Sequence, residues 1–235
     1  MLTNEFSISN LGDSALIINF SNVITEGVNK KVLSLFHFFK IISLPGVIDI
    51  VPAYCSLIIH YDLRILNQKT VSNKTSVQTF TDQVKKLVAE NTELTAFSSR
   101  RIKIPVCYAE KYAWDINEIS KEKNIPVDEI IRLHTAKKYR VYMIGFLPGF
   151  AYMGEVDKQI AIPRKMQPRN KVEAGSVGIA GLQTGIYPLD SPGGWQIIGK
   201  TPVKLFTKEN DDPVLLQAGD EIEFYSITEY EFANY

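Results

Sequence analysis

Apolar positions near the start of the chain change from strand-like to helical spacing. Phe6 and Ile8, and then the run at 15–20, predict two strands joined around the turn-forming Gly-Asp-Ser at 12–14. One apolar stripe at helical spacing follows and predicts a first helix; its members are Val28, Val32, Leu35, Phe36 and Phe39.

A second pair of strands and a second helix are predicted next. Pro45 and Gly46 end the first helix, and residues 47–51 and 57–61 predict a second pair of strands. A second apolar stripe then predicts a second helix; its members are Val77, Phe80, Val84, Leu87 and Val88. The order ββαββα predicts a small α+β domain, with two helices on one face of an antiparallel sheet.

A domain boundary is expected within residues 96–100, where the second helix has ended and a strand at 102–106 begins. We therefore predict an α+β domain at 1–97 and a second domain at 98–235. Two short helices are expected in the second domain, around 116–122 and 128–137.

Glycine and proline are concentrated in the second domain. Ten of the 14 glycines and six of the 11 prolines lie between Gly145 and Pro202, separated by short apolar runs. Helices are poor candidates there, whereas a tightly turned β-barrel with shaped loops fits this pattern.

Composition excludes several classes of protein. The 235 residues carry 26 basic and 26 acidic side chains, so broad electrostatic capture of nucleic acid or anionic membrane is not expected. The start of the chain lacks a signal-peptide pattern, and the most apolar window, 33–51, is interrupted by Lys40, Pro45 and Asp49. Cys55 and Cys107 have no disulfide-framework or zinc spacing. We expect a soluble, cytoplasmic protein.

One segment matches a nucleotide-binding motif by its letters. GWQIIGKT at 194–201 fits the phosphate-loop pattern GxxxxGK[ST], which functions between a strand and a helix. Here the interior of the motif is strand-like, and Pro202 and a further strand-like run follow it. The segment is therefore interpreted as a β-hairpin and not as a phosphate site.

A cationic cluster and an aromatic segment are the candidate binding elements. The cluster lies between and just beyond Pro163 and Pro168; its members are Arg164, Lys165, Arg169 and Lys171. Arginine forks suit carboxylate or phosphate, although a solvated hairpin would show the same charges. The aromatic segment is predicted either to line a pocket or to fill the barrel core; its rings are Phe146, Phe150 and Tyr152. Further polar candidates are Ser176, Gln183, Thr184, Tyr187 and Asp190.

Histidine-based catalysis and metal binding have little support. The only histidines are His37, His60 and His134, and no GxSxG, HxH or HExxH pattern occurs. A self-contained serine hydrolase and a metal site are therefore not predicted.

Several blocks of the second domain together resemble one family. They are GFLPGFAY at 145–152, PR at 163–164 and 168–169, AGSV at 174–177, GLQTGIYP at 181–188, SPGGW at 191–195 and IGKTP at 198–202. These blocks are similar to the allophanate hydrolase subunit 1 family, also called the KipI family, and a looser likeness covers nearly the whole chain. Two departures stand out: relatives usually carry arginine at Lys200 and proline at Glu173. We expect Glu173 to pair with Arg169 or Lys171.

The resemblance implies an N-terminal α+β domain followed by a cyclophilin-like β-barrel. It also implies a non-autonomous subunit of an ATP-dependent 5-oxoprolinase, which opens the lactam of 5-oxo-L-proline to give glutamate. The implied partners are a subunit 2 homologue, which is the C subunit of the 5-oxoprolinase, and a homologue of its hydrolase-like A subunit. ATP is used by the complex, with no site identified in this chain and no catalytic residue assigned.

Site roles follow as hypotheses. Arg164, Arg169 and Lys171 are expected to orient a carboxylate or phosphate of a small-molecule substrate. Hydrogen bonds are expected from Ser176, Gln183 and Tyr187. The residues expected to shape the pocket or the partner surface are His134, Phe146, Phe150, Tyr152 and Trp195.

Two alternatives from the same family stay open at this point. One is inhibition of a sporulation histidine kinase through protein contact, and the other is a role in allophanate hydrolysis and urea degradation as part of a larger enzyme. Prolyl isomerisation would rest on the barrel fold alone and is discounted.

Overall fold

The computed structural model describes residues 6–67, 74–90 and 99–235 and contains two compact units, Met1–Ser98 and Ser99–Tyr235. The boundary predicted after residue 97 lies outside the described residues. Each unit has its own buried apolar core.

The first unit contains a four-stranded antiparallel sheet in the order β1-β2-β4-β3. Its described elements are β1 (Ser7–Asn10), β2 (Ala15–Asn19), α1 (Glu26–Ile42), β3 (Val47–Pro52), β4 (Ser56–Tyr61), α2 (Leu63–Asn67) and α3 (Ser76–Glu90). The short helix α2 was not predicted, because five residues are too few to show a helical period.

Helix α1 illustrates how local chemistry sets an element in this unit. The Thr25 side chain accepts a hydrogen bond from the Val28 N–H at 3.2 Å and caps the first turn, while Glu26 favours the positive end of the helix. The helix ends at Ile42, and the C-cap residue Ser43 has a left-handed conformation at φ 43°, shortly before Pro45 and Gly46.

The second unit is built around a closed barrel of seven strands in the order β10-β7-β6-β13-β5-β12-β9. Its elements are β5 (Arg101–Cys107), α4 (Ile116–Lys123), α5 (Val127–Thr135), β6 (Lys138–Ile144), β7 (Ala151–Gly154), β8 (Arg169–Val172), β9 (Ser176–Ala180), β10 (Gln183–Ile186), β11 (Ser191–Gly193), β12 (Gln196–Lys200), β13 (Glu221–Ile227) and α6 (Glu229–Ala233). The barrel predicted from the glycine and proline density is confirmed.

Strand alternation separates two apolar clusters in this unit. On β12, Ile198 belongs to the main barrel core, whereas Ile197 belongs to a second, smaller cluster. On β7, Met153 belongs to the main core, whereas Tyr152 packs against the smaller cluster. Because successive side chains of a strand point to opposite faces, the smaller cluster lies on the outer face of the barrel wall. The two-stranded ribbon of β8 and β11 contributes Val172 to it.

Candidate functional site

The smaller cluster is aromatic, and Phe150 is at its centre. The Phe150 ring meets Tyr152 at 4.9 Å, Tyr187 and Trp195 at 5.4 Å, and Phe146 at 5.5 Å between centroids, always edge to face. Such geometry is the favoured one for aromatic pairs. Phe150, Tyr187 and Trp195 are buried, whereas Phe146 is 61% exposed. The predicted aromatic segment therefore supplies both core rings and one surface ring.

Two glycines on neighbouring strands form the floor under these rings. Gly178 and Gly185 face each other across β9 and β10. A Cβ at Gly185 would lie 3.0 Å from the Trp195 ring and 3.2 Å from the Phe150 ring, and a Cβ at Gly178 would lie 3.1 Å from the Trp195 Cβ. Gly178, which directly follows the AGSV block, and Gly185 of QTG are thus needed for close approach of the rings to the barrel wall.

The cationic cluster is held beside this aromatic surface by a buried carboxylate. Asp115 is 1% exposed and precedes α4. Its two oxygens accept hydrogen bonds from Arg169 Nη2 at 2.6 Å and Nη1 at 2.9 Å, and Lys165 Nζ lies 2.8 Å from Oδ1. Two of the four predicted cations are therefore already neutralised by one aspartate and by Glu118, which is 3.0 Å from Lys165 Nζ.

The pKa of Asp115 reflects this environment. Burial alone would raise the pKa of the carboxyl, but hydrogen bonds from Arg169, Lys165 and the Ile197 N–H outweigh it, and the pKa is lowered from its ordinary value. The same contact with Asp115 raises the pKa of Lys165. Asp115 and Lys165 are therefore both charged at neutral pH.

Arg164 differs from its neighbours. Its guanidinium lies 5.9 Å from the centroid of the Trp195 ring, and within the described residues it makes no ion pair. The side chain is exposed at the surface. Arg164 is thus a cation available to an incoming anion, placed against an aromatic face.

Lys171 does not join this group. Its ammonium lies 2.8 Å from Asp190 Oδ2, both side chains are largely exposed, and the contact raises the pKa of Lys171. Glu173 also differs from expectation, since its carboxylate pairs with Lys200 at 2.5 Å and not with Arg169 or Lys171. Arg169 turns instead towards Asp115, and Lys171 towards Asp190 across the β8–β11 ribbon.

His134 corrects another expectation. It is completely buried, stacks on Phe224 at 4.7 Å, and therefore lines neither a pocket nor a partner surface. Its Nδ1 is 2.7 Å from the Tyr108 hydroxyl and its Nε2 is 3.0 Å from Thr184 Oγ1. Because Thr184 donates its own proton to the Gly178 carbonyl, Nε2 must donate and Nδ1 must accept. Burial lowers the pKa of His134 to about 3, so the ring is neutral.

The remaining polar candidates differ in how deeply they are buried. Ser176 is buried on β9, and Tyr187 is 1% exposed, so burial raises the pKa of its phenol. Gln183 is half-buried on β10. Of these, Tyr187 lies closest to the arginine–aromatic surface, because its ring contacts Phe150. We use the name arginine–aromatic site for Arg164, Arg169, Phe146, Trp195 and the rings they contact.

The phosphate-loop motif forms a strand. Residues 196–200 are β12, which pairs antiparallel with β9, and no helix follows Thr201 before β13 among the described residues. The β-structure interpreted from the sequence is confirmed, and the segment does not fit a nucleotide phosphate.

Asp115 and Trp114 are the site residues that sequence reasoning missed. Trp114 lies 5.4 Å from the Arg169 guanidinium and packs against the aromatic cluster. The local signal at Asp115 was that of an ordinary helix N-cap, and its partner Arg169 is 54 residues away. No spacing rule links two such positions.

Two further properties of the described residues bear on function. No helix among them is long and apolar enough to cross a membrane. Likewise, the described part of the chain contains no group of three or more histidine, cysteine or acidic side chains able to hold a metal ion.

A comparison with protein families shows the class of protein to which this chain belongs. Residues 6–216 match the family described as carboxyltransferase domain, subdomain C and D. The chain belongs to this family.

Two individual relatives are similar to this chain over most of its length. The B subunit of 5-oxoprolinase from Bacillus subtilis (strain 168) is 40% identical over 235 residues, covering 100% of this chain and 98% of the relative. The B subunit of 5-oxoprolinase from Escherichia coli O157:H7 is 32% identical over 216 residues, covering 91% of this chain and 93% of the relative. The motif resemblance noted in the sequence is confirmed.

A solved structure agrees with these relatives. The protein TTHA0988 superposes with a TM-score of 0.77 at 32% identity, over 91% of this chain and 40% of its own. The present chain therefore corresponds to less than half of that longer polypeptide.

Proposed function

We propose that this chain is the B subunit of an ATP-dependent 5-oxoprolinase and that the arginine–aromatic site binds the carboxylate of 5-oxo-L-proline. The observation that carries the proposal is Arg164, an exposed cation without an ion pair among the described residues, placed over Trp195. The similarity to two proteins named as the B subunit of 5-oxoprolinase supports it.

The substrate chemistry matches this surface. 5-Oxoproline carries one carboxylate on a small, flat lactam ring. An arginine fork recognises a carboxylate in a directional way, and an aromatic face accommodates the ring. The spare N–H donors of Arg169, which uses Nη1 and Nη2 to hold Asp115, provide a second point of attachment.

Lactam opening needs activation that this site does not supply. The amide is stabilised by resonance, so direct attack by water is slow. Transfer of the ATP γ-phosphoryl group to the lactam oxygen gives a better electrophile. ADP leaves in this transfer. A first water then adds at the ring carbon, the C–N bond breaks and the nitrogen leaves protonated, which gives a γ-glutamyl phosphate. A second water hydrolyses this acyl phosphate to glutamate and phosphate.

We place the nucleotide and the catalytic groups on two companion proteins, homologues of the C subunit and of the hydrolase-like A subunit. Residues 196–200 of the motif at 194–201 form the strand β12, which does not fit phosphate, and His134 is buried and neutral. The chain thus contributes substrate binding to a cytoplasmic complex. We further propose that its barrel is cyclophilin-like.

Activity of the complex tests the proposal. The chain is co-purified with its neighbouring gene products, and ATP-dependent glutamate formation from 5-oxoproline is measured. We expect Arg164→Ala to lower kcat/KM by about 10- to 100-fold, the loss of about one charge-assisted hydrogen-bonded contact. Lys171→Ala is the matched control, because Lys171 is an exposed cation in the same region that is paired with Asp190.

We expect Arg164→Ala to lower kcat/KM and Lys171→Ala to leave it unchanged. Arg164→Ala with wild-type kcat/KM, or equal losses for both variants, would remove Arg164 from the proposed site. Failure of the intact complex to form glutamate would reject the substrate itself.

Inhibition of a histidine kinase is a second candidate, favoured by an exposed apolar side chain within the site and another near Arg164 in sequence. Met166 is 98% exposed and Phe146 is 61% exposed, as in a protein-binding surface. Autophosphorylation of a candidate kinase, measured with and without the chain, distinguishes this function, and an unchanged rate would reject it.

A further inference from the structure

The Asp115 carboxylate is saturated with hydrogen-bond donors. Oδ1 receives Arg169 Nη2 at 2.6 Å and Lys165 Nζ at 2.8 Å. Oδ2 receives Arg169 Nη1 at 2.9 Å and the Ile197 N–H at 2.6 Å. Four donors fill the acceptor capacity of a carboxylate, so Asp115 has nothing left to offer a ligand. Its role is therefore to hold other groups.

The position of Asp115 in the fold supports that role. It occupies the N-cap of α4, where aspartate normally accepts a hydrogen bond from its own helix, but its side chain makes no such bond. The carboxylate turns sideways towards β8 and the segment before it. The Asp115 backbone N–H donates to the Ile197 carbonyl at 2.8 Å, so a reciprocal pair fixes the aspartate to β12.

Two cations are fixed by this arrangement. Arg169 is bound at both Nη atoms, with its guanidinium 5.4 Å from the centroid of Trp114. Three of its five N–H donors are left over from the contact with Asp115. The Arg169 side chain is 25% exposed, so part of it reaches solvent.

Lys165 fixes the loop that carries Arg164. Its ammonium binds Asp115, and its backbone N–H donates to the Gly194 carbonyl at 2.8 Å. Arg164 is the preceding residue, and Trp195, over which it lies, follows Gly194. The Lys165–Gly194 hydrogen bond thus joins two segments of the chain. Arg164 is next to Lys165 in one segment, and Trp195 is next to Gly194 in the other.

We propose that Asp115 is the positioning residue of the arginine–aromatic site, fixing Arg169 directly and Arg164 through Lys165. This inference rests on the proposed binding of a carboxylate substrate. It adds a residue that touches no substrate but determines where both arginines point.

A second buried ion pair in the same unit provides a matched control. Asp220 has a side chain that is 4% exposed, and it binds Arg100 through Nε at 2.9 Å and Nη2 at 2.6 Å. It also accepts the Gln217 N–H at 2.7 Å. Asp220→Asn therefore breaks a similarly buried aspartate–arginine contact that lies outside the arginine–aromatic site.

The tryptophans provide a local signal. The chain has two, Trp114 and Trp195, which lie against Arg169 and Arg164 respectively. Tryptophan emission of the full chain, excited selectively over its 11 tyrosines, therefore reports on the surroundings of these two indoles. The probe is 5-oxo-L-proline, and 2-pyrrolidinone, the same lactam ring without the carboxylate, is the control ligand.

We expect 5-oxo-L-proline to change the fluorescence of the wild-type chain and of Asp220→Asn with the same apparent Kd. Asp115→Asn should bind at least about tenfold more weakly, because small displacements of a binding group have large effects on recognition. In the co-purified complex, the same variant should raise KM more than it lowers kcat. Equal Kd values for Asp115→Asn and wild type would overturn the proposal.

A measurement without substrate separates this inference from the proposed function. Released from Asp115, the loop at 163–168 should become sensitive to trypsin after Arg164 and Lys165 in Asp115→Asn but not in Asp220→Asn. If wild type does not respond to 5-oxo-L-proline, the substrate is wrong, and the trypsin result alone decides the role of Asp115. Resistance equal to wild type would reject positioning, and selective cleavage would support it.

Discussion

At the scale of single residues, His134 shows how burial determines what a titratable group can do. Its ring is enclosed by Phe224, Tyr139 and Tyr108, and both nitrogens have partners inside the core. A charged imidazole would be left in an apolar environment with a hydroxyl oxygen as its best acceptor. The residue is therefore a structural element of the barrel and not a proton carrier.

A dependence of stability on pH follows from His134. The folded-state pKa is lowered from 6.5 to about 3, so between these values the unfolded chain takes up a proton that the folded chain does not. The free energy of unfolding should therefore decrease as the pH falls below 6.5, by about 1.4 kcal/mol per pH unit from this group. Urea unfolding between about pH 7 and pH 4.5 measures the slope, with His134→Gln as the comparison.

The carboxylates contribute equally to the pH dependence of the free energy of unfolding in the variant and in the wild type. The difference between the two slopes therefore gives the contribution of His134 alone. If His134→Gln does not fold, the pH dependence of the imidazole carbon NMR signals of the wild-type protein provides a second measurement. A His134 signal that titrates near pH 6.5 in the folded state would contradict the assignment.

At the scale of elements, β12 carries the letters of a phosphate loop for reasons of packing. A Cβ at Gly199 would lie 2.7 Å from Val106 Cγ1 and 3.0 Å from the Cys107 carbonyl oxygen, both on β5. The glycine is thus required where β12 passes β5, as part of barrel closure. Lys200 is used in an ion pair with Glu173 and lies 5.9 Å from the centroid of Tyr112.

The two glycines of the motif should therefore respond differently to alanine. We expect Gly199→Ala to lower the free energy of unfolding by about 1–3 kcal/mol through overpacking. Gly194→Ala should have a smaller effect, since its nearest neighbour would be Pro168 Cγ at 3.6 Å, an ordinary contact. Urea denaturation of the full chain measures both. Equal destabilisation, or loss of ATP use by the complex with Gly194→Ala alone, would contradict this interpretation of β12.

The departures noted at Glu173 and Lys200 are also connected at this scale. They lie 27 residues apart in the chain and bind each other at 2.5 Å. Because the Glu173 side chain is half-exposed, this ion pair is expected to contribute little to the free energy of unfolding.

At the scale of the whole molecule, each unit has a separate core. The main core of Ser99–Tyr235 includes both barrel strands and side chains of α4 and α5, such as Ile119 and Ile130. Both tryptophans belong to this unit. The arginine–aromatic site is therefore built from one unit only.

A fragment containing residues 99–235 should consequently fold by itself. We expect a single cooperative urea transition and wild-type tryptophan emission, because the residues around both indoles are retained. Circular dichroism and fluorescence of the fragment check this. Emission typical of exposed indole, or a transition without cooperativity, would show that the unit depends on the first 98 residues.

Much of the element structure could be predicted from the sequence. Apolar period and turn chemistry indicated α1, α3 and the barrel, because these signals are local and repeated. The helix α2 was missed for its length, and the fate of the histidine on α5 was missed because burial depends on strands far along the chain. The element types were therefore more predictable than the exposure of their side chains.

For the site, composition and local spacing were enough to predict arginines and aromatic rings on proline- and glycine-bounded loops of a barrel, because both properties can be read along the chain. Which of the cations are free depends on the three-dimensional fold. The fold of the second unit places Asp115 beside Arg169 and Lys165, and Asp190 beside Lys171, which leaves Arg164 available. These pairings depend on distances in space between residues up to 54 positions apart, and no local pattern encodes them.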